Sequence, residues 1–467
     1  MKSPYKYYIE PFDLDDRPRR FLDAFAAILE HTNYGLALDT YSRISAKCGR
    51  CSMTCQVYND TGDPKHNPCY RSEMLLRIYK RYFTVGGSLK ARLFNSFQLT
   101  SGYIDEYADM VYECTACRRC QKTCPMGIDH GLMTHLGRWI LAELDIIPKA
   151  LRVATREQLE GKTRNTSAIP VPALIDTCEF LEEECLENYR QPIKFPLDVE
   201  GAEYVFFPAV SDYLLEPDTL MGGAAVMHAT KTSWTIGTQF YDGINYGLFY
   251  SDRMWDRIVN SIVAEVRRLK GKTILIGECG HASRSAKVGV ANFCGPDAPK
   301  VVNIMEFTHR MWKEGRLKLR PNTIQERTTY HDPCNIARSL WIVNQPRELL
   351  RAICADYVDM TPRGDRNICC GGGGGTVSID EIRKFRTGPG GRVKARQLRA
   401  TGAHHLVAPC ANCKKGLAEL IEDNDLEGMQ VTGLHDLLIQ AIEFPDPPVD
   451  VPEEEEDEKE EEVGAHG

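Results

Sequence analysis

Apolar residues follow a helical spacing through the first 165 residues of the chain. They recur at positions i, i+3 and i+4, as in Leu75, Ile78, Tyr79 and Tyr82, and this spacing is typical of an amphipathic helix with one buried face. The pattern predicts helices over residues 21–30, 72–83 and 130–144. Residues 1–165 are therefore predicted to form a helical domain.

A second pattern begins near residue 200. Short apolar runs at residues 204–207, 273–276 and 405–408 precede segments with helical spacing, and this alternation predicts an α/β unit. Between the two patterns, residues 166–200 are predicted to be a linker because they carry several prolines: Pro170, Pro172, Pro192 and Pro196. The sequence thus predicts an α+β multidomain fold.

The α/β region contains a hidden repeat. Residues 206–209 resemble residues 331–334, residues 240–243 resemble 369–372, and residues 277–282 resemble 408–413, at offsets of 125, 129 and 131 residues. Such similar offsets predict one duplicated fold, with a first copy at residues 201–325 and a second at residues 326–445. The first copy is expected to keep the fold without a metal cluster, because it lacks four of the cysteines of the second and has in their places Ala209, Phe240, Tyr241 and Ala282.

Composition excludes several classes of protein. The 467 residues exceed one ordinary core, and 43% hydrophobic with 26% charged residues describes a soluble globular chain. No apolar run approaches the length of a membrane span, and the first residues lack the apolar segment of a secretory signal. Cysteines at metal-ligand spacing then favour metal binding in a reducing compartment over a disulfide framework. The sequence predicts a cytoplasmic protein.

The net charge of −8 arises at one end of the chain. Residues 453–462 hold nine acidic residues and Lys459, a local charge of −8, so the rest of the chain sums to zero. Residues 446–467 are predicted to be a solvated, disordered acidic tail, with a docking role as the alternative. A neutral body offers no electrostatic surface for nucleic acid, so no nucleic-acid partner is expected.

The most informative cysteines lie in the second copy. They begin with Cys334, continue with the adjacent pair Cys369 and Cys370, which five glycines follow, and close with Cys410 and Cys413. Soft thiolates select zinc, copper(I) or iron–sulfur centres, and adjacent cysteines are awkward for a zinc knuckle. Glycine lets backbone N–H groups approach cluster sulfurs closely. The arrangement predicts an iron–sulfur site with five thiolates, one more than an ordinary cubane needs.

A second set of cysteines has the spacing of bacterial ferredoxins. The run C-x2-C-x2-C-x3-C-P consists of Cys114, Cys117, Cys120 and Cys124. Three closely spaced cysteines of such a run hold one cubane, and the fourth ordinarily ligates the partner cluster. This run predicts [4Fe-4S] clusters in the helical domain.

The first cysteine run is irregular. Cys48, Cys51 and Cys55 match the last three cysteines of the ferredoxin motif, but Ser45 stands at the first position and Cys69 follows fourteen residues after Cys55. We infer that the two runs exchange ligands. One cubane would take Cys55, Cys114, Cys117 and Cys120, and the other would take Cys48, Cys51, Cys69 and Cys124. If Cys69 is instead an ordinary buried cysteine, this second centre has three irons or another fourth ligand.

The remaining cysteines and histidines give weaker signals. Except for Cys279, the other cysteines are expected to be core residues: Cys178, Cys185, Cys294 and Cys354. Four histidines are expected to be structural or to lie at the surface: His228, His404, His405 and His435. His281 and His331 flank cysteine positions at strand ends, so either could deliver protons; the alternative is that both are structural.

These motifs in this order resemble the heterodisulfide reductase catalytic subunits over residues 40–440. Residues 331–335, 369–375 and 410–414 are most similar to the HdrD, DsrK and HmcF type, which are cytoplasmic subunits of membrane redox complexes in sulfur- and sulfate-metabolising prokaryotes. The resemblance implies a helical ferredoxin domain with two [4Fe-4S] clusters and a duplicated α/β Cys-Cys-Gly domain with a third, catalytic and noncubane [4Fe-4S] cluster. The serine at position 45 and the acidic tail depart from the pattern.

The resemblance implies an oxidoreductase that reduces a disulfide. Electrons would come from an integral membrane quinone or cytochrome b-type subunit, to which this chain would bind as a peripheral subunit on the cytoplasmic face. The expected substrate is a soluble disulfide or a DsrC-like sulfur-carrier protein. The alternative is an electron-relay subunit that serves the flavin partner of a glycolate, lactate or glycerol-3-phosphate dehydrogenase.

Overall fold

A computed structural model describes residues 16–87, 89 and 97–449, and the acidic tail predicted at residues 446–467 lies mostly outside the described residues. The three helices predicted in the first 165 residues are present, with ends shifted by a few positions. The helices here are Arg17–Glu30, Tyr34–Ile44, Gln56–Thr61, Pro68–Tyr82, Ser101–Tyr112, Arg119–Thr123, His130–Ala142 and Lys149–Glu160, with shorter 3-10 turns at Arg50–Thr54 and Pro64–His66. None of the helices in the described parts of the chain is long and apolar enough to cross a bilayer.

The helical region is built around one apolar core. Phe21 and Phe25 pack with Ile78 from the Pro68–Tyr82 helix, and all three side chains are buried. Two residues from much later in the chain, Ile379 and Ile382, belong to the same core. The helical region and the second α/β copy therefore share apolar contacts that fix their relative position.

Two parallel four-stranded sheets follow. The first has the order β2-β1-β3-β4 and the second has the order β6-β5-β7-β8. Their strands are β1 Tyr204–Phe207, β2 Trp234–Thr235, β3 Thr273–Ile276, β4 Lys300–Asn303, β5 Thr328–Tyr330, β6 Tyr357–Asp359, β7 His405–Val407 and β8 Gln430–Thr432. The strands predicted at residues 204–207, 273–276 and 405–408 correspond to β1, β3 and β7. Both sheets have the same strand order.

We call residues 201–325 the first half and residues 326–445 the second half. Helices cover the sheets, as parallel strands buried on both faces require. In the first half they are Asp212–Leu215, Pro217–Ala229, Gly247–Tyr250, Asp252–Arg268, Gly280–Phe293 and Ile304–Lys313. In the second half they are Asn344–Ile353, Arg383–Thr387, Arg392–Arg399, Ala411–Glu422 and Leu434–Ala441, with a π-helical turn at Asn335–Ser339 and 3-10 turns at Gly364–Arg366, Gly373–Ser378 and Asp380–Ile382.

The prediction of a linker at residues 166–200 was wrong. The segment contains the helix Val171–Tyr189, whose 19 residues place Leu174, Cys178 and Cys185 in the main apolar core. Pro170 and Pro172 lie at its start, where a missing N–H group is tolerated, so they open a helix instead of preventing one.

A buried polar contact joins the two halves. The carboxylate of Glu278, just after β3, accepts hydrogen bonds from the backbone N–H groups of Leu434 (3.0 Å) and His435 (2.8 Å) at the start of the last helix. His435 Nδ1 lies 2.5 Å from the same carboxylate, and its Nε2 lies 2.8 Å from Thr308 Oγ1. Burial alone would raise the pKa of Glu278, but the hydrogen bonds and charge of His435 hold it below its ordinary value. His435 is thus a structural residue between the halves.

Candidate functional site

The first thiol group lies between the two cysteine runs of the helical region. Cys55, Cys114, Cys117 and Cys120 line one cavity of about 30 Å³. Burial raises the pKa of Cys55 and holds that of Cys120 well above its ordinary value, and neighbouring thiols of the group add to the effect. The buried guanidinium of Arg71 faces this group and supplies an opposite charge. These are the four residues that the sequence assigned to one cubane.

The second thiol group surrounds the start of the Pro68–Tyr82 helix. Cys69 occupies the first turn of this helix, where the Asn67 side chain accepts a hydrogen bond from its backbone N–H at 2.9 Å. The Cys51 thiol donates a hydrogen bond to Cys69. This bond, together with a backbone hydrogen bond from Gly49, lowers the pKa of Cys69 to about 7, although partial burial raises it. Cys69 therefore faces a motif cysteine, as its predicted role as a ligand requires. The other two members of the predicted set are nearer the surface: Cys48 is exposed and Cys124 is half-buried.

The third thiol group lies at the carboxyl ends of the strands of the second sheet. Cys334 follows β5, and Cys410 follows β7 directly before the Ala411–Glu422 helix. The sulfurs of Cys370 and Cys413 are 3.4 Å apart, and Cys369 lies beside Cys370 and Cys334. All five side chains are buried. The strand ends thus bring together thiols from three separate segments of the chain, as parallel sheets do at this edge.

The glycines after the cysteine pair bring the third group against the first. We call residues 369–375 the glycine loop. A Cβ atom added at Gly373 would lie 2.6 Å from the Thr115 carbonyl oxygen, and Gly374 has a φ of +64° and approaches the same residue. Only glycine permits this approach and this conformation without strain. As a result, the thiol of Cys369 reaches that of Cys117.

Sequence reasoning missed the polar side chains that hold this contact. Arg138 donates to the carbonyl oxygens of Cys114 (2.7 Å) and Gly374 (2.6 Å), so one guanidinium ties the ferredoxin run to the glycine loop. Arg338 donates to the Cys117 carbonyl at 3.1 Å and also to the carbonyl of Asn367. Both arginines are buried. No local spacing marks them, because their partners are far away in the sequence.

The first half contributes a sixth thiol. Cys279 precedes the Gly280–Phe293 helix as Cys410 precedes its own helix, and the backbone N–H of each bonds to the carbonyl two residues earlier, at 2.7 Å and 2.6 Å. The Cys279 thiol contacts Cys410, and this hydrogen bond, with another from Cys413, holds the pKa of Cys410 well below its ordinary value. Thiol contacts therefore continue from Cys117 through the third group to Cys279.

His281 also comes from the first half. Its Nδ1 lies 3.2 Å from Cys279 Sγ, and its ring stacks on Tyr246 with centroids 5.8 Å apart. Burial lowers the pKa of His281 to about 4, so the imidazole is neutral near pH 7. Burial also raises the pKa of the adjacent Cys279 thiol well above its ordinary value, so the proton stays on sulfur and the neutral ring is a poor cationic acid.

His331 lies at the opposite side of the third group. One nitrogen of its ring and the sulfurs of Cys370 and Cys413 lie within 4.8 Å of one another. His331 Nδ1 is 3.1 Å from Asn367 Nδ2, so the amide donates and the ring proton belongs on Nε2. The fully buried Lys394 lies 3.4 Å from the Oδ1 of the same amide. Burial lowers the pKa of Lys394 to about 7, and sequence reasoning did not identify this lysine.

Four of the five corresponding positions of the first half hold no thiol. Ala209, Phe240, Tyr241 and Ala282 are all buried in the main apolar core. Tyr241 donates a hydrogen bond of 2.6 Å to the Ile169 carbonyl. Packed side chains therefore occupy the place where the second half gathers cysteines.

The donor sets fit iron–sulfur clusters. Each group consists of thiols, and soft sulfur donors suit iron–sulfur centres and exclude hard cations. Neighbouring arginines would offset the negative charge of such a centre. The remaining cysteines lie outside these groups: Cys178, Cys185 and Cys354 are buried, as expected, whereas Cys294 is only half-buried and is not a core residue. Burial raises the pKa of Cys178 and Cys185 to about 12 and that of Cys354 to about 11.

Comparisons with known proteins agree with this geometry. Residues 46–128 match the 4Fe-4S dicluster domain and residues 328–418 match the cysteine-rich domain CCG. Over 433 residues the chain is 25% identical to the Hdr-like menaquinol oxidoreductase iron-sulfur subunit of Archaeoglobus profundus. The aligned region covers 84% of this chain and 77% of that protein. A similar protein of Archaeoglobus fulgidus is 25% identical over 447 residues, with 86% and 79% covered. One of the subunits of the dihydromethanophenazine:CoB–CoM heterodisulfide reductase of Methanosarcina acetivorans is 25% identical over 398 residues, with 80% and 87% covered. The chain is thus an iron–sulfur protein with a 4Fe-4S dicluster domain and a CCG domain, and it is related to heterodisulfide reductase-like subunits.

Proposed function

We propose that this chain is the iron–sulfur electron-transfer subunit of an Hdr-like menaquinol oxidoreductase and that it reduces a disulfide at its CCG site. The observation that carries the proposal is the contact of Cys117 with Cys369 through the glycine loop. This contact makes the two candidate cluster sites neighbours, so electrons that reach the dicluster domain have a short path to the CCG site. The names of the relatives in Archaeoglobus and Methanosarcina support the same role.

The thiols would hold three clusters, which supply one-electron transfer when bound. Two [4Fe-4S] clusters would be held in the dicluster domain, one by Cys55, Cys114, Cys117 and Cys120 and the other by Cys48, Cys51, Cys69 and Cys124. The third would be held by Cys334, Cys369, Cys370, Cys410 and Cys413. The shared cavity of the first set and the contact of Cys51 with Cys69 support this division.

Reduction of the substrate consumes two electrons and two protons, R–S–S–R + 2e⁻ + 2H⁺ → 2 R–SH. Protons must therefore reach a buried site. The Nε2–H of His331 donates to the Cys370 sulfur, and Lys394, whose pKa burial lowers to about 7, is a nearby acid that can release a proton near neutral pH. On the other side, His281 Nδ1 lies beside the Cys279 thiol, which keeps its proton because burial raises its pKa. These roles support catalysis at the site beyond simple electron relay.

The remaining parts of the proposal concern partners and architecture. The dicluster domain would face a membrane quinone or cytochrome b-type subunit, to which the chain binds peripherally on the cytoplasmic side. The second half would face a soluble disulfide or a DsrC-like sulfur-carrier protein. The equal strand orders of the two sheets support one duplicated fold in residues 201–445.

Iron content and a single cysteine variant test the proposal. Anaerobically purified protein should carry about twelve irons, as three four-iron sites require. The variant Cys369→Ser should lose or change the signal of the third centre in electron paramagnetic resonance (EPR), whereas Cys354→Ser, a buried cysteine outside the groups, should not. With a reduced viologen as donor, the native protein should reduce a disulfide and Cys369→Ser should not.

Two results would count against it. About eight irons together with an unchanged spectrum in Cys369→Ser would remove the third cluster. Three clusters without any disulfide reduction, but with rapid electron exchange with a flavoprotein, would replace catalysis by the relay function.

A further inference from the structure

A cleft opens between the dicluster domain and the first half and leads to the CCG site. Its outer part has a volume of about 710 Å³, and Tyr34, Arg118 and Arg284 are among its lining residues. The same three residues line an inner chamber of about 50 Å³, whose lining also includes Asn335 and Gly374. Asn335 follows Cys334, and Gly374 belongs to the glycine loop. The inner end therefore adjoins the third thiol group.

Arg284 is the unusual residue of this cleft. Its Nη1 donates to Asn335 Oδ1 at 3.2 Å, and within the described parts of the chain no carboxylate lies at salt-bridge distance. Burial and the charge of Arg118 lower the pKa of Arg284 to about 9, which leaves the guanidinium charged near pH 7. Asp129 and the Cys334 thiol offset part of this charge, but no carboxylate among the described residues pairs with the guanidinium directly, so this arrangement points to an anionic ligand.

The other charges of the cleft reinforce the positive potential. Arg118 has a distant partner, with Asp129 at 3.5 Å. The carboxylate that lines the outer cleft, Asp252, already accepts hydrogen bonds from Tyr34 Oη and His135 Nε2, both at 2.8 Å. Arg338 also lines the outer cleft, and its guanidinium donates to carbonyl oxygens. Because carbonyl groups are neutral, its positive charge adds to that of Arg118 and Arg284.

We propose that this arginine cleft binds a disulfide substrate that carries a carboxylate, with Arg284 and Arg118 holding the carboxylate and the sulfurs directed into the inner chamber. The proposal rests on the proposed function, since it names the class of substrate that the CCG site receives. The volumes support this orientation. The outer part is in the range of ligand pockets, whereas the inner chamber has room for only one or two small groups, such as a methylene and a sulfur. A guanidinium recognises a carboxylate through two parallel hydrogen bonds, which fixes the direction of the chain that follows.

The carboxylate could belong to a small molecule or to the carboxyl terminus of a carrier protein with a cysteine near its end. Both sources share the chemistry that Arg284 recognises. Binding of 3,3′-dithiodipropionate to the oxidised, cluster-loaded protein, measured by calorimetry without an electron donor, tests the first source. A short peptide with a disulfide-blocked cysteine near a free C-terminal carboxylate, compared with its C-terminal amide, tests the second.

The expected result is a preference for the charged ligand. The dimethyl ester of dithiodipropionate, or the peptide amide, should bind roughly 10- to 100-fold more weakly, as expected when one charge-assisted pair is lost. Arg284→Gln should remove this preference, and Arg284→Lys should retain part of it because the charge remains but the paired geometry does not. Arg267→Gln, an exposed arginine in the same half, is the matched control and should bind as the native protein does.

The outcomes separate this inference from the proposed function. If acid and ester bind equally and Arg284→Gln changes nothing while disulfide reduction persists, the anion site is refuted and the reductase stands. If acid binding depends on Arg284 but no disulfide is reduced, the anion site stands and the reductase fails. Iron content and EPR spectra equal to those of the native protein must accompany each variant, since a structural role for Arg284 would change them.

Discussion

The Arg347–Asp332 ion pair fixes the segment that presents Cys334, and its removal should destabilise the second half strongly. Arg347 Nη1 and Nη2 each lie 2.7 Å from one oxygen of Asp332, and both side chains are only 1% exposed. Arg347 Nε also donates to Asp359 at 2.7 Å. In Arg347→Met the carboxylate of Asp332 would stay buried with only the N–H of Gly364 as a donor. Loss of one partner of such a pair costs about 3–5 kcal/mol of unfolding free energy.

Arg351 provides a matched control. It lies on the same Asn344–Ile353 helix and pairs with Asp359 at 3.1 Å, but 52% of its side chain is exposed. Exposed pairs contribute about 0.2–1 kcal/mol, so Arg351→Met should be nearly neutral. Since about 1 kcal/mol shifts the midpoint of a unit of 150–250 residues by about 2–4 °C, Arg347→Met should lower it by about 6–20 °C.

Anaerobic thermal unfolding of the cluster-loaded protein, followed by far-ultraviolet circular dichroism and by the visible absorption of the clusters, measures both effects. Arg347→Met should also lose the signal of the third centre at a lower temperature than those of the dicluster domain, because Cys334 follows Asp332 by two residues. Adding Asp332→Asn should cost less than the sum of the single changes, since the unpaired charge is then removed. Equal midpoints for Arg347→Met and Arg351→Met would refute the reasoning.

Three further predictions concern the thiols and one buried histidine. Cys69→Ala should convert one dicluster centre to a three-iron form or abolish it, as EPR would detect, and an unaltered spectrum would place the ligand elsewhere. Cys279→Ala should shift the reduction potential of the third centre without loss of iron, because the contact with Cys410 is a hydrogen bond to sulfur; an identical potential in a redox titration would contradict this role. Burial lowers the pKa of His130 to about 4, so between pH 6.5 and 4 the unfolded chain binds more protons than the folded one and stability falls as the pH falls. The loss of unfolding free energy should reach about 3 kcal/mol across this window. The urea concentration at the unfolding midpoint should therefore depend less on pH in His130→Gln than in the native protein, whereas the exposed control His31→Gln should keep the native pH dependence.

The sequence by itself determined the chemistry of the chain. The spacing of the run from Cys114 to Cys124 and the adjacent pair Cys369 and Cys370 are local properties of the chain, and they were enough to predict an iron–sulfur protein before any fold was known. The strands at residues 204–207 and 273–276 were also predictable, because a short apolar run is visible in the sequence of the segment itself. The repeat was predicted by comparing such short motifs and the distances between them along the chain. The linker prediction failed where prolines at a helix start were interpreted as prolines that prevent a helix.

Only the tertiary structure decided how these pieces meet. The approach of Cys369 to Cys117 depends on glycines that fit against Thr115 and on Arg138, whose partners are separated from it by as many as 236 residues. The tertiary structure also placed three residues beside the CCG site whose position there the sequence did not predict: Cys279, Lys394 and Arg284. The sheets bring the strand ends and helices that carry them to one site. Such positions leave no periodic signal, since side-chain packing between distant segments, and not local spacing, determines which groups become neighbours.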